Sequence, residues 1–176
     1  IAYNDAPKVE NLKKLFPDTV EISIVERAPF ATWQHDNVVS LVDAGGKVIA
    51  TDTRERYDSL PHVLGAGAAE RAGEYAALVG AEPAIAAHAR AGILVSGERW
   101  TIVLDNGIEL MLPSVDPAGA LATIAALDRD RQLLSREIAV VDLRQSGEMI
   151  VRLTPAGAEA RAATLKQRDK ANGRTN

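Results

Sequence analysis

Apolar and polar positions alternate most clearly near the start of the chain, where Val20, Ile22 and Ile24 are spaced by Glu21, Ser23 and Val25. Such a period of two puts one face of a strand against a core. The stretch Val9–Phe16 leads into it through Pro17-Asp18, a turn pair in which Pro presets φ and Asp can bond the backbone beyond it. The pattern predicts a β-hairpin over 9–27, ended by Pro29. Two short strands follow, Val38–Val42 and Lys47–Ala50, around an Asp43-Ala44-Gly45-Gly46 turn, and residues 51–67 read as irregular, with His35-Asp36 in a loop before them. Residues 68–80 are helical in composition, with Ala72, Tyr75, Ala76 and Val79 on one face, and a second short helix starts near Glu82-Pro83.

Strand signals then return. Ile93-Leu94-Val95, Trp100–Leu104 and Ile108–Leu112 are apolar runs, the last two joined by Asp105-Asn106-Gly107, which predicts a type I′ turn. Asp116-Pro117 supplies an N-cap and a first-turn proline, opening a helix with Leu121, Ile124, Leu127, Arg131 and Leu134 on one stripe. Ile138–Asp142 and Glu148–Leu153 are the closing strands, and Thr154-Pro155 caps a final helix in which Leu165 is the only larger apolar residue. The fold class is α+β: a strand pair, then a larger antiparallel sheet with helices packed on one face.

Composition narrows the function. With 176 residues, 47% of them hydrophobic and 25% charged, the chain can bury an ample core without a metal or disulfide. Aromatics make up only 4%, so that core is aliphatic. A net charge of −4 argues against a nucleic-acid binder, which normally carries a basic face. The absence of Cys removes disulfides, thiolate nucleophiles and zinc-finger spacings. No apolar run approaches the roughly 20 residues that span a bilayer, and a first residue of Ile1 rather than Met reads as a fragment.

Catalytic signals are thin. His35, His62 and His88 have no metal-ligand spacing, and no serine sits in a nucleophile elbow. Gly65-Ala66-Gly67 precedes a helix but lacks the Lys-Ser/Thr of a phosphate loop, and Glu70 disfavours an anion there. A small-ligand-binding or hydrolase-like α+β domain using His35, Asp36 or the Gly65 loop is the enzyme-class alternative. The last strand invites a different reading. Glu148–Leu153 can lie at the rim of the sheet, either blunted by Glu148 and Arg152 or open as a template for a strand from another chain, with Arg144 beside it for an acidic partner residue.

The ordered motifs resemble the FtsQ/DivIB family of bacterial cell-division proteins. Leu15-Phe16-Pro17-Asp18-Thr19-Val20 running into Val25-Glu26-Arg27-Ala28-Pro29-Phe30-Ala31-Thr32-Trp33 is similar to the end of that family's POTRA domain. Leu41–Ile49, Leu60-Pro61, the central Arg99–Leu110 hairpin and Val141-Asp142-Leu143-Arg144 follow in the family's order, and Phe30–His35 most resembles α-proteobacterial members. The resemblance implies the end of a POTRA domain over 1–30, a β-domain over 31–154 and a C-terminal helix or basic tail over 155–176. It implies a single-pass inner-membrane protein, anchored outside this chain, whose periplasmic part is a divisome scaffold at the septum.

On this resemblance the protein has no catalytic activity, no cofactor and no metal. It binds FtsB- and FtsL-type partners by strand addition and links early to late division proteins. The implied partner-binding residues are Arg144, Gln145, Glu148, Met149, Ile150, Val151, Arg152 and Leu153, and a recruitment face for other division proteins falls around Leu12 and Lys14. Where some members have an aromatic after the Val-Asp-Leu-Arg arginine this chain has Gln145, and where some have Trp in the last strand it has Arg152.

Overall fold

The computed structural model describes residues 8–15, 19–25, 27–51, 57, 59–145 and 147–172. The Pro17-Asp18 turn and residues 52–56 lie outside the described residues. The chain divides into two compact units, residues 1–77 with 91–97 and residues 78–90 with 98–176.

In the first unit, β1 (Lys8–Leu15) and β2 (Thr19–Val25) form an antiparallel two-stranded sheet with Leu12 opposite Ile22 and Lys14 opposite Val20. A second sheet contains β3 (Ala31–His35), β4 (Val38–Val42), β5 (Val48–Thr51), β6 (His62–Leu64) and β7 (Ala89–Val95), in the order β7-β6-β3-β4-β5. Two of these strands lie in segments that the pattern reads as loop. β3 does not alternate because it is buried on both faces, Ala31 on one and Thr32 on the other. The hairpin from β3 to β4 turns on Asp36-Asn37, with φ of 47° and 64°, the paired positive values of a type I′ turn. The short β6 becomes a strand through parallel pairing with β3 and β7 on its two sides. Such pairing is invisible to local pattern.

The helix α1 (Ala72–Gly80) buries Ala72, Tyr75 and Val79, the face expected of it. Tyr75 lies over Gly92, where any Cβ would enter the phenol ring, and burial pushes its hydroxyl up to about 12. Gly65-Ala66-Gly67 does not lead directly into this helix, which begins at Ala72, so the loop is not at a helix N-terminus. Instead the Gly65 carbonyl accepts a hydrogen bond from Trp33 Nε1 at 2.8 Å.

The second unit holds α2 (Pro83–Ala86), β8 (Arg99–Leu104), β9 (Glu109–Met111), α3 (Pro117–Arg131), β10 (Ile138–Asp142), β11 (Ile150–Leu153) and α4 (Pro155–Asn172). Its strands run in the order β8-β9-β10-β11. β9 and β10 are parallel, because α3 carries the chain back across, while the other two pairs are antiparallel. Outside the β1-β2 pair, the pairing is therefore mixed rather than wholly antiparallel. Ile102, Leu110 and Val141 sit side by side in register, all fully buried, and Leu121 and Ile124 of α3 complete the core.

Two local expectations change here. In the Asp105-Asn106-Gly107 turn only Gly107 takes positive φ, so this is not a type I′ turn. Gly107 N–H donates to the Leu104 carbonyl at 3.0 Å, giving an ordinary turn closed by a left-handed glycine. Asn106 is held by donating from Nδ2 to the Leu134 carbonyl at 2.9 Å and accepting from Ile108 N–H at 3.2 Å. The α3 stripe also stops early: Gln132 adopts φ 50° and ends the helix, Arg131 is exposed, and Leu134 belongs to a separate 3-10 turn. The N-cap is as read, with Asp116 Oδ1 accepting from Gly119 N–H at 3.0 Å.

Candidate functional site

Backbone pairing places β11 at the rim of the second unit's sheet, with β10 as its one neighbouring strand among the described residues. Its register sets Ile150 opposite Asp142, Val151 opposite Val141, Arg152 opposite Val140 and Leu153 opposite Ile138. The buried row Ile102–Leu110–Val141 therefore ends at Val151, which is 36% exposed, while Ile150 on the other face is 49% exposed. An unpaired rim carrying two β-branched residues is a template on which another strand can pair. The strand starts at Ile150, so Glu148 and Met149 lie in the approach to it, after a turn in which Gly147 takes φ 80° and Glu148 N–H donates to the Gln145 carbonyl. Glu148 and Gln145 are exposed and Met149 is half-buried.

Arg144 stands at the opposite end of the same turn, and its partner is within the chain. Its Nε donates to Asp142 Oδ1 at 2.9 Å and its Nη2 to Asp142 Oδ2 at 2.6 Å, a bidentate pair, while its own N–H donates to Oδ1 at 3.0 Å. The Arg144 guanidinium holds the Asp142 carboxyl below the usual carboxylate range against the opposing effect of burial, and Arg152 adds a weaker pull. The same bond raises Arg144 above its ordinary value. Asp142 thus fixes the guanidinium beside the first residues of β11, a role that the sequence reading did not assign to it. Arg144 lies just past the end of β10 at Asp142, so the available signal was the two-residue separation of opposite charges.

The sign of this coupling gives a testable expectation. A carboxyl whose folded pKa lies below its unfolded value of about 3.9 stabilises the fold fully above that value and loses the contribution as pH falls through the folded one. Asp43 shifts in the same direction: burial opposes its ionisation, but hydrogen bonds from Lys47, Arg27 and Gly45 outweigh it. Urea midpoints should therefore fall between pH 7 and pH 3, and Asp142→Asn should narrow that gap without closing it. An unaltered gap in the variant would separate the pair from stability.

The other candidate residues lie elsewhere. Leu12 and Lys14 are on β1 in the first unit. His35 ends β3, stacked on Trp33 with ring centroids 5.4 Å apart, and its Nε2 lies 3.5 Å from Asp36 Oδ2. His62 Nδ1 meets Thr32 Oγ1 at 2.8 Å, and burial lowers its pKa. His88 Nδ1 pairs with Asp105 Oδ2 at 2.9 Å, an exposed pairing that the sequence did not reveal. No group of three or more metal-ligating side chains occurs among the described residues, and no described helix is long and apolar enough to cross a membrane.

The family model described as cell division protein FtsQ/DivIB, C-terminal, matches residues 31–144, from β3 through β10 to Arg144. A protein named cell division protein FtsQ in Rhizobium radiobacter is 36% identical over 167 residues, covering 94% of this chain and 80% of its own length. Its namesake in Agrobacterium fabrum is 36% identical over the same share of this chain, and that of Bradyrhizobium diazoefficiens is 34% identical over 89% of it. This chain spans about half the length of those two relatives, 53% and 46%. With an α+β fold, the matched model and these α-proteobacterial relatives, the chain belongs to the FtsQ/DivIB family of cell-division proteins.

Proposed function

We propose that this chain is a non-enzymatic scaffold of the bacterial division machinery that binds FtsB- and FtsL-type partners by strand addition to β11. It links early to late division proteins at the septum, needs no cofactor or metal, and works in the periplasm, held to the inner membrane by an anchor outside this chain. The observation that carries the reading is the open rim of β11, where Ile150 and Val151 face water beside a preset Arg144. Backbone bonds supply the affinity of strand addition, and alternate side chains supply its specificity. Residues 1–30 are the end of a POTRA domain, consistent with the separate β1-β2 sheet, and the recruitment face around Leu12 and Lys14 lies on it. Residues 31–154 are the β-domain, with the C-terminal helix beyond.

The test uses paired proline substitutions. Successive N–H groups of a strand point to opposite edges, so of Ile150→Pro and Val151→Pro one removes an outward donor and the other a bond to β10. Each is titrated calorimetrically against the periplasmic region of an FtsB-type protein from the same organism. The variant that keeps its folded circular dichroism spectrum should lose detectable binding. Unchanged affinity in that folded variant would exclude strand addition at β11.

A further inference from the structure

We propose that α4 is a second half of the β11 site, a basic rail that takes an acidic amphipathic segment of the same partner; this rests on the strand-addition reading. The helix is 18 residues long, about 27 Å at 1.5 Å per residue, yet among the side chains described its attachment is confined to the first turn. There Thr154 Oγ1 accepts from Gly157 N–H at 3.1 Å and donates to Glu137 Oε2 at 2.9 Å, and Thr154 N–H donates to the Glu137 carbonyl at 3.0 Å. Gly157 is buried so tightly that a Cβ would stand 2.6 Å from that carbonyl. From Ala158 to Arg168 every residue is exposed. A helix normally draws most of its stability from packing one face, and this one leaves three turns without any.

Charge identifies the occupant. Between Ala158 and Arg168 the helix carries Arg161, Lys166 and Arg168 against Glu159, in a chain whose net charge is −4. The helix dipole accounts for cations in the last turn but not for Arg161 in the second. Arg161, Leu165 and Arg168 follow an i, i+4, i+7 spacing and share one stripe, with Leu165 49% exposed between the two guanidiniums. That stripe fits a segment presenting an apolar residue flanked by carboxylates. A lipid surface fits less well, since interfacial helices bury a face of several large apolar residues and this one offers Leu165 alone. Thr154 is the single residue between β11 and α4, so a chain paired along the strand arrives at the rail without a linker.

The experiment titrates this chain and the double variant Arg161→Glu/Arg168→Glu against the FtsB-type periplasmic region at low and high salt. A neutral double variant to Gln runs beside it, with the outward-facing proline variant as the strand control. We expect charge reversal to weaken binding about tenfold at low salt, with a smaller loss for Gln and a difference that shrinks as salt screens it. Affinity unchanged by reversal, with the proline variant still inactive, overturns the rail and leaves strand addition standing. No binding by the unaltered chain overturns both. Vesicles of phosphatidylglycerol and phosphatidylcholine form the last arm: capture that depends on Arg161 and Arg168, alongside unchanged partner affinity, would assign the helix to anionic lipid and overturn the inference.

Discussion

Trp100→Ala is expected to destabilise the protein by about 3–5 kcal/mol, the usual cost of removing a buried aromatic whose cavity collapses only in part. Trp100 is 1% exposed, the bulkiest of the fully buried side chains, and lies on the strand face that also carries Ile102 and Leu104. Its carbonyl accepts the Leu112 N–H at 3.1 Å, so loosening at this point reaches the β8–β9 hairpin and the row that ends at Val151. In thermal denaturation the shift should be roughly 10 °C, given about 2–4 °C per kcal/mol for a chain of this size. A loss below about 1 kcal/mol would mean that Trp100 is not the centre of this core. Trp33 is a useful contrast, since it is half-buried and anchored by one hydrogen bond to the Gly65 carbonyl.

Gly46→Ala is the second large effect, expected at about 2–4 kcal/mol from a left-handed backbone and an overpacked contact together. Gly46 takes φ 79°, and a Cβ there would stand 2.6 Å from both the nitrogen and the Cα of Glu70. Backbone atoms cannot swing aside as a side-chain tip does, so the turn or the Glu70 segment must move. Gly45 next to it is the internal control. Its φ is ordinary and its Cβ would meet only Asp43 Oδ1 at 3.4 Å, so Gly45→Ala should stay within about 0.5 kcal/mol. Equal urea midpoints for the two variants would refute the close approach. The turn matters beyond itself because Asp43 bonds the N–H groups of Gly45 and Lys47 at 3.0 and 2.9 Å and also pairs with Arg27.

Both substitutions act on the scaffold rather than on the rim, so each should weaken partner binding only through the population of folded protein. The outward-facing proline variant and the charge-reversal variant should do the reverse, leaving stability nearly intact. That separation is what a docking rim on a rigid sheet requires: Val151 continues a buried row, and Asp142 holds Arg144 from β10.

Signals confined to a few consecutive residues were legible in the sequence. The alternation over Val20–Val25 marks β2, Asp116-Pro117 marks the start of α3, Pro83 marks α2, and Thr154-Pro155 marks α4. Even Asp105-Asn106-Gly107 located its hairpin, although Asn106, tied to Leu134, keeps out of the left-handed region. The final strand was visible as an apolar run that could stand at a rim. What one strand does for another was not visible. β3 and β6 lack alternation or length and exist as strands because neighbours distant in sequence complete their backbone bonds. The same dependence decides that His88 meets Asp105 and that Val151 stands at the end of a buried row. Local propensity, caps and turns are written within a few residues and so belong to the sequence alone. Register, parallel pairing and the partner of each charge depend on which distant segments meet, and only the tertiary structure decides that.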